Sequence, residues 1–243
     1  MTRTLLELAE VSRSFGGVRA VNGLSFALPE GEIVGLIGPN GSGKTTVFNL
    51  ISGVFLPNGG TLTFAGASLV GRKPHEICRL GIGRTFQTVQ PFNSLSVLEN
   101  VRVGAFRTIG DPDRATHEAD AVLALVGLSH KRDALPPSLT IADRKRLELA
   151  RALATRPRLL LLDEVMAGLR PAETLEMIDL ARRIHATGVT LLVIEHVMRA
   201  VMSLSHRIVV LHHGEKIAEG TPQEVSRDPE VIRAYLGEEY RSA

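Results

Sequence analysis

Short unbroken apolar runs alternate along the chain with stretches whose apolar residues recur at helical spacing, a pattern that predicts an α/β protein with a mostly parallel sheet. Residues 32–37 (EIVGLI) read as a strand running into a glycine-rich turn, and a helix is expected from near Lys44 to about Ile51. Residues 159–162 are four leucines in a row, the pattern of a strand covered on both faces. Residues 190–194 and 208–211 read as two further buried strands. Residues 172–186 read as a helix, with Pro171 near its start and Gly188 just past its end.

The middle of the chain follows another rhythm. From about Thr88 to Arg156 helical signals dominate and no strand is convincing. Ser96 and Glu99 form an S-x-x-E capping box ahead of a helix over 97–107. Asp111-Pro112 can cap and open a second helix with Ala119, Val122, Leu123 and Val126 on one face, ended by Gly127. Pro136-Pro137 marks a loop, and a third helix is expected from near Asp143. A helical lobe inserted into an α/β core fits this shift.

Composition narrows the function. The 243 residues are 44% hydrophobic and 22% charged, within the range of globular proteins and far from disordered or fibrous chains. The formal net charge of +2, the 4% aromatic content and the absence of Trp give no case for a general nucleic-acid binder or a base-stacking surface. The lone Cys78 cannot close an internal disulfide, and it reads as a small, at least partly buried apolar residue. No apolar run approaches the roughly 18 residues needed to span a bilayer. A cytoplasmic chain is expected, held at any membrane by other subunits.

Gly38, Pro39, Asn40, Gly41, Ser42, Gly43, Lys44 and Thr45 match the phosphate-loop pattern between a predicted strand and a predicted helix. Gly41 and Gly43, lacking a Cβ, let the backbone wrap a phosphate chain, and the helix N-terminus adds its positive dipole end. Lys44 supplies a point charge to the β- and γ-phosphates, Thr45 a hydroxyl for Mg²⁺, and Thr46 reaches the α-phosphate. Asp163-Glu164 ends the leucine run, and ligands of parallel sheets bind beyond the carboxyl ends of the strands. Asp163 is therefore the expected metal carboxylate, and Glu164 the expected base for an attacking water.

Taken together, these residues resemble the ATP-binding subunits of ABC transporters over nearly the whole chain. The resemblance implies a P-loop NTPase (RecA-like) core with a mostly parallel sheet, an N-terminal antiparallel β part and an inserted α-helical subdomain. The core takes 1–87 and 157–243, with a C-terminal tail from about 222, and the helical signature subdomain takes 88–156. It assigns Phe15 to stacking on adenine, with a core role as the alternative. Gln87, in Arg84-Thr85-Phe86-Gln87, links the γ-phosphate and metal to the helical lobe, or else is an ordinary loop amide. His196 senses the γ-phosphate, or else caps the helix after it. ATP and Mg²⁺ are the implied cofactors, and a second ATPase subunit and two transmembrane permeases the implied partners.

The RTFQ stretch, the following Ser96–Val101 segment (SVLENV) and the ending AEGTPQEV…DPEVIRAYLG look like importers of branched-chain amino acids. Such a system uses a periplasmic solute-binding protein, which this chain meets only indirectly. Relatives take up urea and short amides, and a lipopolysaccharide exporter has a similar tail. Outside transport, the alternatives for this chain are a soluble ABC ATPase of nucleic-acid machinery and a weakly hydrolysing nucleotide-binding regulator, the latter suggested by residues 139–143.

Two stretches depart from the family pattern. The signature, usually Leu-Ser-Gly-Gly-Gln, is here Leu139, Thr140, Ile141, Ala142 and Asp143. Ala142 adds a Cβ and Asp143 a carboxylate where a triphosphate should approach, which Arg144, Lys145 and Arg146 would offset unless they form a solvated helix face. Residues 165–170 (VMAGLR) also differ from the usual sequence. Both stretches serve the partner's nucleotide in this family, while Lys44, Thr45, Gln87, Asp163, Glu164 and His196 serve the chain's own. A heterodimer with one fast and one slow site is therefore expected in preference to a homodimer.

Overall fold

Residues 3–239 are described by the computed structural model. In chain order its elements are β1 (Thr4–Phe15), β2 (Val18–Pro29), β3 (Ile33–Ile37), α1 (Lys44–Ile51), β4 (Gly59–Phe64), β5 (Ala67–Ser68), α2 (Pro74–Leu80), β6 (Ile82–Arg84) and α3 (Val97–Ala105). There follow α4 (Pro112–Val126), α5 (Ile141–Leu153), β7 (Leu159–Asp163), α6 (Pro171–Ala186), β8 (Thr190–Ile194), α7 (Met198–Leu204), β9 (Arg207–His212), β10 (Glu215–Gly220), α8 (Pro222–Val225) and α9 (Pro229–Glu239). The expected tail, about 222–243, is described as far as residue 239, and residues 240–243 lie outside the described residues. The backbone separates into two units, Met1–Leu80 with Thr190–Ala243, and Gly81–Val189.

The first unit contains an antiparallel sheet in the order β2-β1-β4-β5 and strands in the order β10-β9-β3-β8. Here β3 runs parallel to both β8 and β9, with Ile33 opposite Leu191 and Val34 opposite Arg207. Every residue of β3 and β8 is buried, which is why these strands read as unbroken apolar runs rather than alternating ones. The C-terminal helices cover part of this layer, where Val225 and Val231 pack with Ile37, Val201, Ile208 and Val210.

The second unit pairs β6 parallel to β7, with Ile82 opposite Leu159 and Arg84 opposite Leu161. Each leucine of β7 is fully buried, a burial worth about 1.5–3 kcal/mol per side chain. Helix α3 starts with the expected Ser96–Glu99 capping box. It ends at Ala105, two residues early, because the chain tightens into three-residue bonds from Arg107 to Gly104 and from Thr108 to Ala105. Asp111 caps α4, and Gly127 closes it in the left-handed conformation.

Helix α5 begins at Ile141, ahead of the expected Asp143, because Thr140 is its N-cap. The Asp143 N–H donates to Thr140 Oγ1 at 3.2 Å, and the Thr140 hydroxyl donates to Asp143 Oδ2 at 2.7 Å. Lys131 also donates to that carboxylate. Burial opposes the ionised form of Asp143, but the bonds from Lys131 and Thr140 outweigh it and hold its carboxyl below the ordinary value. Asp143→Ala removes the N3 side of this capping box and should cost about 0.5–1.5 kcal/mol of stability, read from the denaturant midpoint near neutral pH. Because the folded pKa is depressed, this contribution is complete above the unfolded carboxylate value and is lost as pH falls through the folded one. The gap between wild type and variant should therefore close in acid.

Candidate functional site: the phosphate loop and the acidic strand end

The loop 38–45 links the buried strand β3 to α1 in the first unit. Two of its glycines are there for steric reasons. A Cβ on Gly38 (φ 153°) would overlap the Leu211 carbonyl, and one on Gly43 (φ 104°) the Ala20 carbonyl. At Gly41, expected to be sterically required, a Cβ would touch nothing, although φ is +76°. Lys44 is buried inside the turn, where its ammonium donates to the Gly38 carbonyl at 2.7 Å and the Pro39 carbonyl at 2.8 Å. Its charge is thus held where a phosphate chain following the loop would meet it. Thr45 is exposed and Thr46 half-buried at the first turn of α1.

Phe15 ends β1 and is 40% exposed, so it is no core residue. Its ring meets Phe55 edge-on at 5.0 Å between centroids, and the Arg13 guanidinium lies 4.6 Å from its centroid. His196 is exposed just past β8, and the N-cap of the following α7 is Val197, not His196.

In the second unit, β7 delivers Asp163 and Glu164 at its carboxyl end, and both are buried. The Asp163 N–H donates to Thr85 Oγ1 at 3.0 Å, and Arg84 forms an ion pair with its carboxylate at 3.0 Å. Burial pushes the Asp163 carboxyl upward, and the Arg84 guanidinium pulls against it. Arg84 also lies 5.0 Å from the Phe86 ring centroid. Nothing in the sequence pattern marks this pair, whose members stand 79 positions apart. Arg84→Met leaves a buried carboxylate without its cation and should destabilise the protein by about 3–5 kcal/mol, with Arg84→Met/Asp163→Asn recovering part of the loss in equilibrium unfolding.

Glu164 takes a left-handed backbone conformation (φ 51°), uncommon for a residue with a side chain. Its carboxylate accepts at 2.6 Å from the side-chain amide of Gln87, an exposed residue of the loop after β6. The structure thus brings Gln87, Asp163 and Glu164 together with Arg84 and Thr85. Among the described residues, no three His, Cys, Asp or Glu side chains form a metal cage. The expected donors, the Thr45 hydroxyl, the Gln87 amide oxygen and the Asp163 carboxylate, are hard oxygens. Mg²⁺ needs only one or two protein ligands beside phosphate oxygens and water, so the donor chemistry fits that ion.

The solvated face over 144–146 is found only in part, with Arg144 exposed, Arg146 half-buried and Lys145 buried. Arg144 donates to the Pro137 carbonyl at 3.0 Å, Arg146 to the Val126 carbonyl at 3.1 Å, and Lys145 is buried. Leu139 is buried, Ile141 is 64% exposed, and exposed Arg170 pairs with Glu173 at 2.7 Å. Cys78 is half-buried. Among the described residues, no helix is long and apolar enough to cross a membrane.

Residues 21–167 match the family profile described as ABC transporter, and residues 215–241 one described as branched-chain amino acid ATP-binding cassette transporter. The chain is 42% identical over 258 aligned positions to the high-affinity branched-chain amino acid transport ATP-binding protein LivG of Salmonella typhimurium, covering 98% of this chain and all of the relative. It is 39% identical over 254 positions to the corresponding BraF protein of Pseudomonas aeruginosa, again with 98% and 100% coverage. Among solved structures, the ADP conformation of an ATP-binding cassette of an ABC transporter superposes with a TM-score of 0.88 at 31% identity, over 97% of this chain and 100% of that one. A nucleotide-free cassette gives 0.87 at 30% identity, with 96% and 99% coverage. With a family profile spanning more than half its length, and relatives matched end to end, this chain belongs to the ATP-binding cassettes of the ABC transporters.

Proposed function

We propose that the chain is the ATP-hydrolysing subunit of an importer of branched-chain amino acids. The main support is the end-to-end similarity to LivG and BraF, which extends into the tail at 215–241. In this reading the amides of 38–45 and Lys44 grip the triphosphate, Phe15 stacks on adenine, and Thr45, Gln87 and Asp163 hold Mg²⁺. The metal would supply charge neutralisation on the β- and γ-phosphate oxygens. Glu164 takes the proton of the attacking water, Gln87 orients that carboxylate, and His196 senses the γ-phosphate.

The elements of 88–156 would form the signature subdomain, presenting Leu139 to Asp143 to the nucleotide of a second, different ATPase subunit. The bonding of Asp143 to Thr140 and Lys131 supports the signature role alone, because it offsets the carboxylate's repulsion of a triphosphate; the choice of a different subunit rests on the altered sequence of 139–143 and 165–170. ATP favours the closed pair, and hydrolysis releases it. The cassette would ride on the cytoplasmic face of two permease subunits, supplied by a periplasmic binding protein. Reconstitution with those subunits tests the solute. ATP-dependent uptake of leucine, isoleucine and valine is the expected result, and uptake of urea or short amides in their place would reassign the system.

A further inference from the structure

The mechanism above leaves one buried charge without a task. Lys145 lies in the first turns of α5 and is only 8% exposed. Burying an ammonium is costly unless charges and acceptors surround it. Its Nζ donates at 2.8 Å to the main-chain carbonyl of Glu164. The charge also acts on two carboxylates, those of Asp163 and Glu148. Glu148 is itself buried and accepts from Arg151 at 3.0 Å.

The residue whose carbonyl Lys145 holds is the one with the left-handed backbone, and its side chain meets Gln87. A left-handed non-glycine residue persists only where its surroundings over-determine it. A charged donor on the Glu164 carbonyl restricts rotation of the peptide unit that follows it. The direction of the Glu164 Cα–Cβ bond depends on that backbone setting.

We infer that Lys145 is a positioning residue for Glu164: it ties the first turns of the signature helix α5 to the peptide that aims the proposed base. The segment that would face a partner's nucleotide, through Thr140 and Asp143, is then mechanically joined to the base acting on the chain's own nucleotide. This inference rests on Glu164 being that base.

The test uses the complete transporter with Lys145→Met, Lys145→Gln, Lys145→Arg and, separately, Glu164→Gln. The readout is the part of ATP turnover that Glu164→Gln removes. Lys145→Met keeps the stem and removes the donor, and it should lower that part at least tenfold with the KM for ATP within twofold of wild type. Lys145→Gln, polar but too short to span the distance, should do the same, and it carries the test if the Met variant does not fold. Lys145→Arg, which keeps a charged donor, should recover at least a third of wild-type turnover. A smaller loss in the donor-less variants, a loss matched by a rise in KM, or an Arg variant no better than Met overturns the inference. If Glu164→Gln itself leaves turnover intact, the assignment of the base is what fails.

Discussion

Glu164→Gln is expected to lower ATP hydrolysis about 10²–10⁴-fold, the usual worth of a positioned general base, while leaving affinity for MgATP within about threefold. The substitution keeps the shape of the side chain, and its amide oxygen can still accept from Gln87, whose donor lies 2.6 Å from the present carboxylate. In the proposed function the contacts that grip the triphosphate are made elsewhere, by the 38–45 loop. Binding and chemistry should therefore separate. Turnover in the complete transporter, set beside calorimetric titration with MgATP, checks both halves. Hydrolysis at the wild-type rate would remove Glu164 from the mechanism.

Lys44→Ala is expected to weaken ATP binding about 10²–10⁴-fold and to leave no measurable turnover. Charge-assisted hydrogen bonds contribute about 1.5–3 kcal/mol each, and Lys44 would make such bonds to two phosphates. In this structure its ammonium is already seated, 2.7 and 2.8 Å from the Gly38 and Pro39 carbonyls. A nucleotide arriving at the loop therefore meets an oriented charge rather than a free side chain, and because an ammonium has three N–H groups the phosphate oxygens take the place of at least one present acceptor, the distant Ser42 Oγ at 3.4 Å first. The loss should be greater for ATP than for ADP, because Ala removes the contact with the γ-phosphate as well. Titration with both nucleotides measures the difference, and equal losses would place Lys44 away from the γ-phosphate.

Much of this architecture was legible in the sequence. Helix α1 spans the expected residues, α4 carries its Asp111 cap and Gly127 stop, and β3, β7 and β8 are the buried apolar runs. These elements announce themselves because local chemistry and burial agree. The antiparallel sheet was not visible in the residues and followed only from the family resemblance. Strand β1 shifts register against β2 at four places and carries Glu10 at φ 52°, so its side chains do not keep a period of two. Strand β10 is an edge strand with no buried residue, and β6 spans three residues, too few to show any period. Helix α5 starts two residues ahead of the expected Asp143 because Thr140 and Asp143 form its capping box. Contacts across long separations, Arg84 to Asp163 and Lys145 to Glu164, leave no local trace. Their partners meet only after helix and strand have packed.

The left-handed backbone at Glu164 has a bearing on engineering. Glycine or asparagine would sit there more comfortably than a glutamate, whose Cβ crowds its own peptide. With Glu164 as the proposed base, heat tolerance and catalytic competence would pull one position in opposite directions. A library selected only for survival at high temperature would drift toward the residues that suit the turn and away from the carboxylate, so hardening this cassette by such a route means keeping position 164 out of the randomised set.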